Sequence, residues 1–170
     1  VSVRVVLVGF MGSGKSTLAP LVAQALGRDW HDTDRLVERR EGRSVARVIA
    51  ESGEESFRRI EREVLEDLLA RGNGVVAAGG GILERHAVRR RLNREAATVW
   101  LDVPLEECRR RLGTAPDRPL WPAQDPLALR ALYERRRAAY ALARVRVAAG
   151  REPPETTARR VLRRLRAVFP

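Results

Sequence analysis

The stretch VVLVGFMGSGKSTLAPLVAQAL, from Val5 to Leu26, leaves this chain few folds to choose from. It reads as a buried strand, a glycine-rich turn and a helix. Gly9, Gly14, Lys15 and Ser16 fill every fixed position of the phosphate-binding pattern G-x-x-x-x-G-K-[ST]. Gly9, Gly12 and Gly14 allow backbone conformations closed to other residues. Successive N–H groups can then curl around a phosphate at the positive end of the following helix. Lys15 is placed to reach the outer phosphates and the Ser16 hydroxyl to ligate Mg²⁺. Lys15 is also the only lysine among 33 basic side chains; all the others are arginine. A chain that uses Arg almost everywhere keeps Lys where a compact ammonium must fit inside a loop.

The pattern around this stretch alternates. Val3–Val8 is continuously apolar, as expected at the centre of a parallel sheet. A helix over Ser16–Leu26 ends at Gly27. Asp29–Asp34 (DWHDTD) gives a short strand and a turn, with Thr33 or Asp34 placed to cap a helix that runs to Gly42. Ser44 caps the next helix. A longer one runs from about Glu54 to Ala70, with Phe57, Ile60, Val64, Leu65 and Leu68 at helical spacing. Val75–Ala78 is a strand that enters Gly79-Gly80-Gly81. Helices follow from about Glu84 to Leu92, after Pro104, over Leu127–Arg144 and from about Glu155 to Val168, with strands at Ala97–Val103 and in VRVAA. Such alternation specifies an α/β domain with a parallel sheet. In these sheets ligands lie beyond the carboxyl ends of the strands. Gly9–Ser16, Asp32–Asp34, Gly79–Gly81 and the residues after Val103 are thereby gathered into one place. Gly113–Pro126 carries four prolines and no periodicity. Loops of that length in compact domains are usually functional or disordered; this one is expected to be mobile without ligand and ordered by nucleotide.

Composition excludes several classes. A length of 170 residues suits one domain with a real core. No apolar run reaches membrane-spanning length, and the first one leads straight into the glycine turn, so it is a strand and not a signal peptide. A single cysteine, Cys108, rules out an internal disulfide and suggests a reducing compartment, the cytoplasm. Cys108 itself reads as partly buried packing, and His31 and His86 as packing or surface residues. The net charge of +11 raises the question of nucleic acid. The arginines are interleaved with Glu, and aromatics are only 5% of the chain, which argues against a base-stacking surface.

A phosphate loop needs an acid near its Mg²⁺. The strand VVAAGGG ends without one, so the supply is Asp32 and Asp34. One is placed to hold metal-bound water and the other to accept a proton or hydrogen bond from a substrate hydroxyl. Gly79, Gly80 and Gly81 offer bare backbone for close approach. Arg58 and Glu61 are i, i+3 on one helix, and their pairing would fix a guanidinium as a carboxylate clamp. Arg118 is placed to swing onto the phosphates as its loop closes.

These residues resemble the shikimate kinase family, in order and over most of the chain. The carrying motifs are GFMGSGKST, the DTD ending at Asp34, SGEESFRRIE, the GGG at Gly79–Gly81, the RPL at Arg118–Leu120 and the R-x-x-x-Y of Arg136–Tyr140. The resemblance implies a P-loop NTPase fold of the nucleoside-monophosphate-kinase-like type: a five-stranded parallel sheet flanked by helices, with a mobile lid. It implies one domain over residues 1–170, with a substrate region at about 32–61 and the lid at about 113–126. ATP and Mg²⁺ would be held by Gly12, Ser13, Gly14, Lys15, Ser16 and Thr17, with Ser16 and Asp32 toward the metal. Arg118 would contact ATP phosphates and Arg151 the adenine. Asp34 would bind the ring hydroxyls of shikimate, Asp32 would lie near the reacting hydroxyl, Arg58 and Arg136 would hold the carboxylate, and Gly79–Gly81 would contact the substrate through Gly80. Only the spacing to Tyr140 distinguishes Arg136 from Arg135 and Arg137. Lys15, Asp32, Asp34 and Arg118 are the expected catalytic set, in a monomer with no nucleic-acid or membrane partner. Rival acceptors are gluconate and nucleoside monophosphates. The rival from another class is a basic ATPase that binds nucleic acid.

Overall fold

The computed structural model describes residues 4–70, 72–113 and 125–169. Arg118 and most of the expected lid, residues 114–124, lie outside the described residues. Five strands, β1 (Arg4–Val8), β2 (Trp30–Asp32), β3 (Val75–Ala77), β4 (Ala96–Asp102) and β5 (Val145–Ala148), form one sheet in the order β2-β3-β1-β4-β5. Every pairing is parallel.

The strand sequences explain the layers. Val5 and Leu7 of β1 face a core shared with Leu18 and Val22 of α1 (Lys15–Leu26) and with Val161 and Leu165 of α7 (Pro154–Val168). Val6 and Val8 face the opposite core, with Leu65 and Leu68 of α3 (Val45–Ala70) and Leu92 of α4 (His86–Glu95). A strand covered on both faces is expected to be apolar, and β1 is so from Val5 to Val8, after Arg4 at its start. Each such Val or Leu adds about 1.5–3 kcal/mol on burial. Because β1 is central and the chain runs from it through β2 and β3 on one side before crossing to β4 on the other, a crevice opens at its carboxyl end. The glycine turn sits there.

Several local expectations shift. The α2 helix (Thr33–Glu41) is capped by Asp32, not by Thr33 or Asp34: the Asp32 side chain accepts from the Asp34 and Arg35 amides. Asp34 therefore lies in the first turn of α2, where its charge also suits the helix dipole. The helix expected from about Glu84 divides into a 3₁₀ turn (Ile82–Glu84) and α4, because Arg85 between them is extended. The two helices expected on either side of Gly53 are both present, as the halves of α3, which breaks at Gly53, whose φ of 82° lies in the left-handed region that favours glycine. After α5 (Leu105–Leu112), α6 (Pro126–Tyr140) starts one residue early, with Asp125 as its cap, and ends four residues short of Arg144, where the chain turns into β5. Cys108 is fully buried instead of partly so, and burial pushes its thiol up to about 11. Among the described residues no helix is long and apolar enough to cross a membrane.

Candidate active site

The glycine turn is held from below by its neighbours. Gly12 has φ 77°, and a Cβ on it would stand 2.9 Å from the Cys108 carbonyl oxygen. Gly14, at φ 92°, is the residue preceding α1, so the loop delivers its amides to the start of that helix. Lys15 Nζ donates to the carbonyls of Gly9 at 2.8 Å and Phe10 at 3.0 Å, which lays the ammonium along the loop. Ser16 Oγ donates to Asp32 Oδ2 at 2.5 Å. Asp32 Oδ1 accepts from the Asp34 amide at 3.0 Å. Asp32 is therefore held on both oxygens, while Asp34 is projected by α2 into the adjoining space.

Two cavities meet at these residues. One, of about 350 Å³, is lined by Gly12, Gly14, Lys15, Ser16 and Thr17 of the turn. The other, of about 440 Å³, is lined by Phe57, Arg58, Glu61, Gly81 and Arg136. Ser16, Asp32, Asp34, Gly79 and Gly80 line both. A third space of about 250 Å³, on the far side of the turn, is lined by Ser13, Thr17, Glu107, Arg111 and Arg151.

In the 440 Å³ cavity, Arg58 Nη1 donates to Glu61 Oε2 at 2.7 Å. Glu61 is 1% exposed. Burial raises its carboxyl above the usual range, against the opposing pull of the Arg58 guanidinium. Its other oxygen, Oε1, has no hydrogen-bond partner among the described residues. The glycine wall is fixed on both sides: the Gly79 amide donates to Thr33 Oγ1 at 2.9 Å, and Tyr140 Oη donates to the Gly80 carbonyl. Arg136 is 3% exposed, while its neighbours Arg135 and Arg137 are exposed, so burial singles out the same arginine as the spacing to Tyr140. Its Nε donates to Glu84 Oε2 at 3.1 Å.

Why the wall is glycine follows from what a side chain would meet. A Cβ on Gly79 would fall 1.9 Å from Glu61 Oε1, and one on Gly81 2.6 Å from Arg58 Nη2. Both groups belong to one ion pair, the Glu61 carboxylate and the Arg58 guanidinium, and have little room to yield. Gly79→Ala is expected to displace that pair and cost about 1–3 kcal/mol of stability. Urea unfolding measures it; an unchanged midpoint would contradict the tight packing.

Sequence reasoning missed the residues that organise the third space. Glu107 is buried and accepts from Arg110 at 2.7 Å and Arg111 at 2.8 Å, with Arg151 at 3.5 Å. Arg111 continues to the Gly12 carbonyl at 3.3 Å and to that of Gly150. Arg151, at 84% exposure, stands on the rim. The only local signal was the E-x-x-R-R spacing of Glu107 with Arg110 and Arg111. The Arg110 hydrogen bond, seconded by Arg111, lowers the Glu107 carboxyl to about 2. Its folded value is depressed from 4.5, so its stabilising effect is full above about pH 4.5 and disappears as pH falls toward 2. The stability gap between the native chain and Glu107→Gln should therefore be constant near neutrality and close over that window. Urea unfolding at stepped pH checks this, and a gap unchanged at pH 3 would contradict it.

Among the described residues no group of three or more His, Cys, Asp or Glu side chains is arranged to hold a metal. Ser16 and Asp32 nevertheless form an all-oxygen pair at the foot of the turn. Mg²⁺ takes few protein ligands and keeps waters and substrate phosphates for the rest, so this pair fits it.

A phosphate-binding turn whose cavity opens directly into a second one, lined by three arginines and four carboxylates, is what a P-loop kinase of small molecules requires. Comparison with known proteins narrows the class. A family model described as shikimate kinase matches residues 11–166. The shikimate kinase of Synechococcus elongatus is 44% identical over 158 residues, 92% of this chain and 83% of that protein. That of Aquifex aeolicus is 36% identical over 160 residues, 94% of each. The structure of shikimate kinase from Acinetobacter baumannii in complex with shikimate matches with a TM-score of 0.93 at 30% identity, covering 98% of this chain and 94% of that one. The chain belongs to the shikimate kinase family. A gluconokinase from Sinorhizobium meliloti shares the fold, with a TM-score of 0.63 at 20% identity.

Proposed function

We propose that this chain performs its family's reaction in the site just described: the γ-phosphoryl of ATP passes to the 3-hydroxyl of shikimate, leaving ADP and shikimate 3-phosphate. The observation that carries the reading is the meeting of the two cavities at Ser16, Asp32, Asp34, Gly79 and Gly80. A triphosphate in one and a small hydroxylated acid in the other would bring donor and acceptor together there.

Phosphoryl transfer asks a protein for positioning and charge neutralisation. The loop amides and Lys15 meet the phosphates. Arg58 and Arg136 meet the acceptor's carboxylate, and the Gly80 backbone meets its ring. Asp34, projected into the shared space, accepts hydrogen bonds from the ring hydroxyls and is the residue best placed to receive the reacting proton. Asp32 has a different duty. With one oxygen capping α2 and the other on Ser16, it orients the serine hydroxyl. Ser16 and Asp32 would hold Mg²⁺, which supplies neutralisation of the charge on the transferring group. Gly12, Ser13, Gly14 and Thr17 enclose the phosphates, and Arg151, on the rim of the third space, is the residue assigned to the base. Arg118 completes this set from a segment outside the described residues.

A cytoplasmic monomer without nucleic-acid partners fits the surface. Many arginines pair with glutamates along the helices, as in Arg47–Glu51, Arg59–Glu63 and Arg91–Glu95. Among the described residues the exposed large apolar side chains Leu127, Leu142 and Val168 are scattered along the sequence. Acceptor choice is tested by supplying ATP with shikimate, gluconate or a nucleoside monophosphate side by side. Turnover of shikimate well above the other two is expected; equal or greater turnover of gluconate would overturn the assignment of the acceptor.

A further inference from the structure

We propose that Glu84 is a positioning residue for the acceptor site: it holds the Arg136 guanidinium by its Nε so that the remaining donors face the substrate carboxylate. This rests on the reading of Arg136 as a carboxylate clamp.

Glu84 closes the 3₁₀ turn that follows the glycine wall, three residues after Gly81. From there it reaches across to α6 and takes two guanidiniums, Arg135 at 2.9 Å on Oε1 and Arg136 at 3.1 Å on Oε2. The two bonds differ in character. Arg135 is exposed and its bond is a surface one, worth little. Arg136 is buried, and its Nε has Glu84 for acceptor. Arg136 lines the 440 Å³ cavity and Glu84 does not, so the carboxylate stands behind the arginine rather than beside the substrate. A guanidinium is a rigid planar fork. Fixing Nε from behind sets the plane in which the Nη groups lie. Nη1 already stands against the wall, 3.4 Å from where a Gly80 Cβ would be.

Arg136 has a competing partner. Glu61 lines the same cavity, feels the Arg136 charge, and offers Oε1, a buried oxygen with no hydrogen-bond partner among the described residues. A guanidinium free to rotate would turn toward that oxygen and withdraw its donors from the substrate. Glu84 keeps it back, and the Tyr140 hydroxyl, one turn further along α6, keeps the helix itself in register with the wall through Gly80. The clamp is thus tied at Glu84 and Tyr140 to the segment that contacts the ring.

Steady-state kinetics of Glu84→Ala and Glu84→Gln test this, with shikimate and with its neutral carboxamide as acceptors. The alanine variant is expected to raise KM for shikimate about tenfold, the strength of a hydrogen bond to a charged group. KM for ATP should stay within about twofold. Glu84→Gln, which keeps an acceptor oxygen of the same reach, should lie between the two. With the carboxamide the penalty of either variant should vanish, because the interaction being aligned is absent. A merely structural role would raise KM for both acceptors and for ATP alike, and that outcome would overturn the proposal. So would an unchanged or lowered KM for shikimate. If the alanine variant fails to fold, the glutamine variant carries the same comparison. Failure of the underlying reading looks different: the unmodified chain itself would then show no preference for shikimate over its carboxamide.

Discussion

Lys15→Ala is expected to lower turnover by about 10³-fold or more while leaving the chain folded. Lys15 is the only lysine, so no neighbouring ammonium can take its place in the turn. Its Nζ is held by the Gly9 and Phe10 carbonyls, within reach of whatever occupies the loop. Removing one preorganised donor to developing charge costs about 10²–10³ in rate, and here the full positive charge that offsets the anionic transferring group goes with it. Lys15→Arg should not rescue activity, since a planar fork does not fit where a compact ammonium lay between two carbonyls. The fold should survive because Lys15 contributes nothing to either core. Coupled kinetics with circular dichroism as a folding control measures both. Turnover within tenfold of the unmodified chain would contradict the role.

Arg58→Ala should act on the other cavity. KM for shikimate is expected to rise about 100-fold, with KM for ATP little changed, because the arginine lines only the acceptor side. A second effect must be kept apart from the first. Arg58 is the ion-pair partner of Glu61, a buried carboxylate. Deleting one member of a buried pair costs about 3–5 kcal/mol. The Glu61 carboxyl is already raised by burial, so it should take up a proton in the variant. The double substitution Arg58→Ala with Glu61→Gln is therefore expected to recover much of the lost stability and none of the shikimate affinity. Equal effects of Arg58→Ala on the two Michaelis constants would contradict the clamp.

The reach of sequence reasoning followed the distance over which contacts act. The phosphate turn was legible because its glycines, Lys15 and Ser16 are fixed by local spacing. The Arg58–Glu61 pair was legible because i, i+3 is a geometric neighbour on any helix. Asp32, Thr33 and Asp34 were found as a group, but the cap of α2 is Asp32 and not Thr33 or Asp34. Which of three adjacent polar residues caps a helix depends on where β2 ends, and that is set by pairing with β3. Arg136 was picked out from Arg135 and Arg137 only by its spacing to Tyr140, and the contact that buries it could not be read without knowing which face of α6 meets the glycine wall. Glu84 was missed for the same reason: its partner lies 52 residues away. Arg111 reaches Gly12 across 99 residues. Contacts of that span come from the sheet order, in which β1 lies between β3 and β4, and the alternation of elements does not specify that order.

The most direct measurement is ADP release in a coupled assay with ATP and Mg²⁺, with and without shikimate. Release should be slow without shikimate, rise many-fold and saturably when it is added, and fall to background in Lys15→Ala. A rate that shikimate does not raise above the rate without acceptor would contradict the assignment of this site.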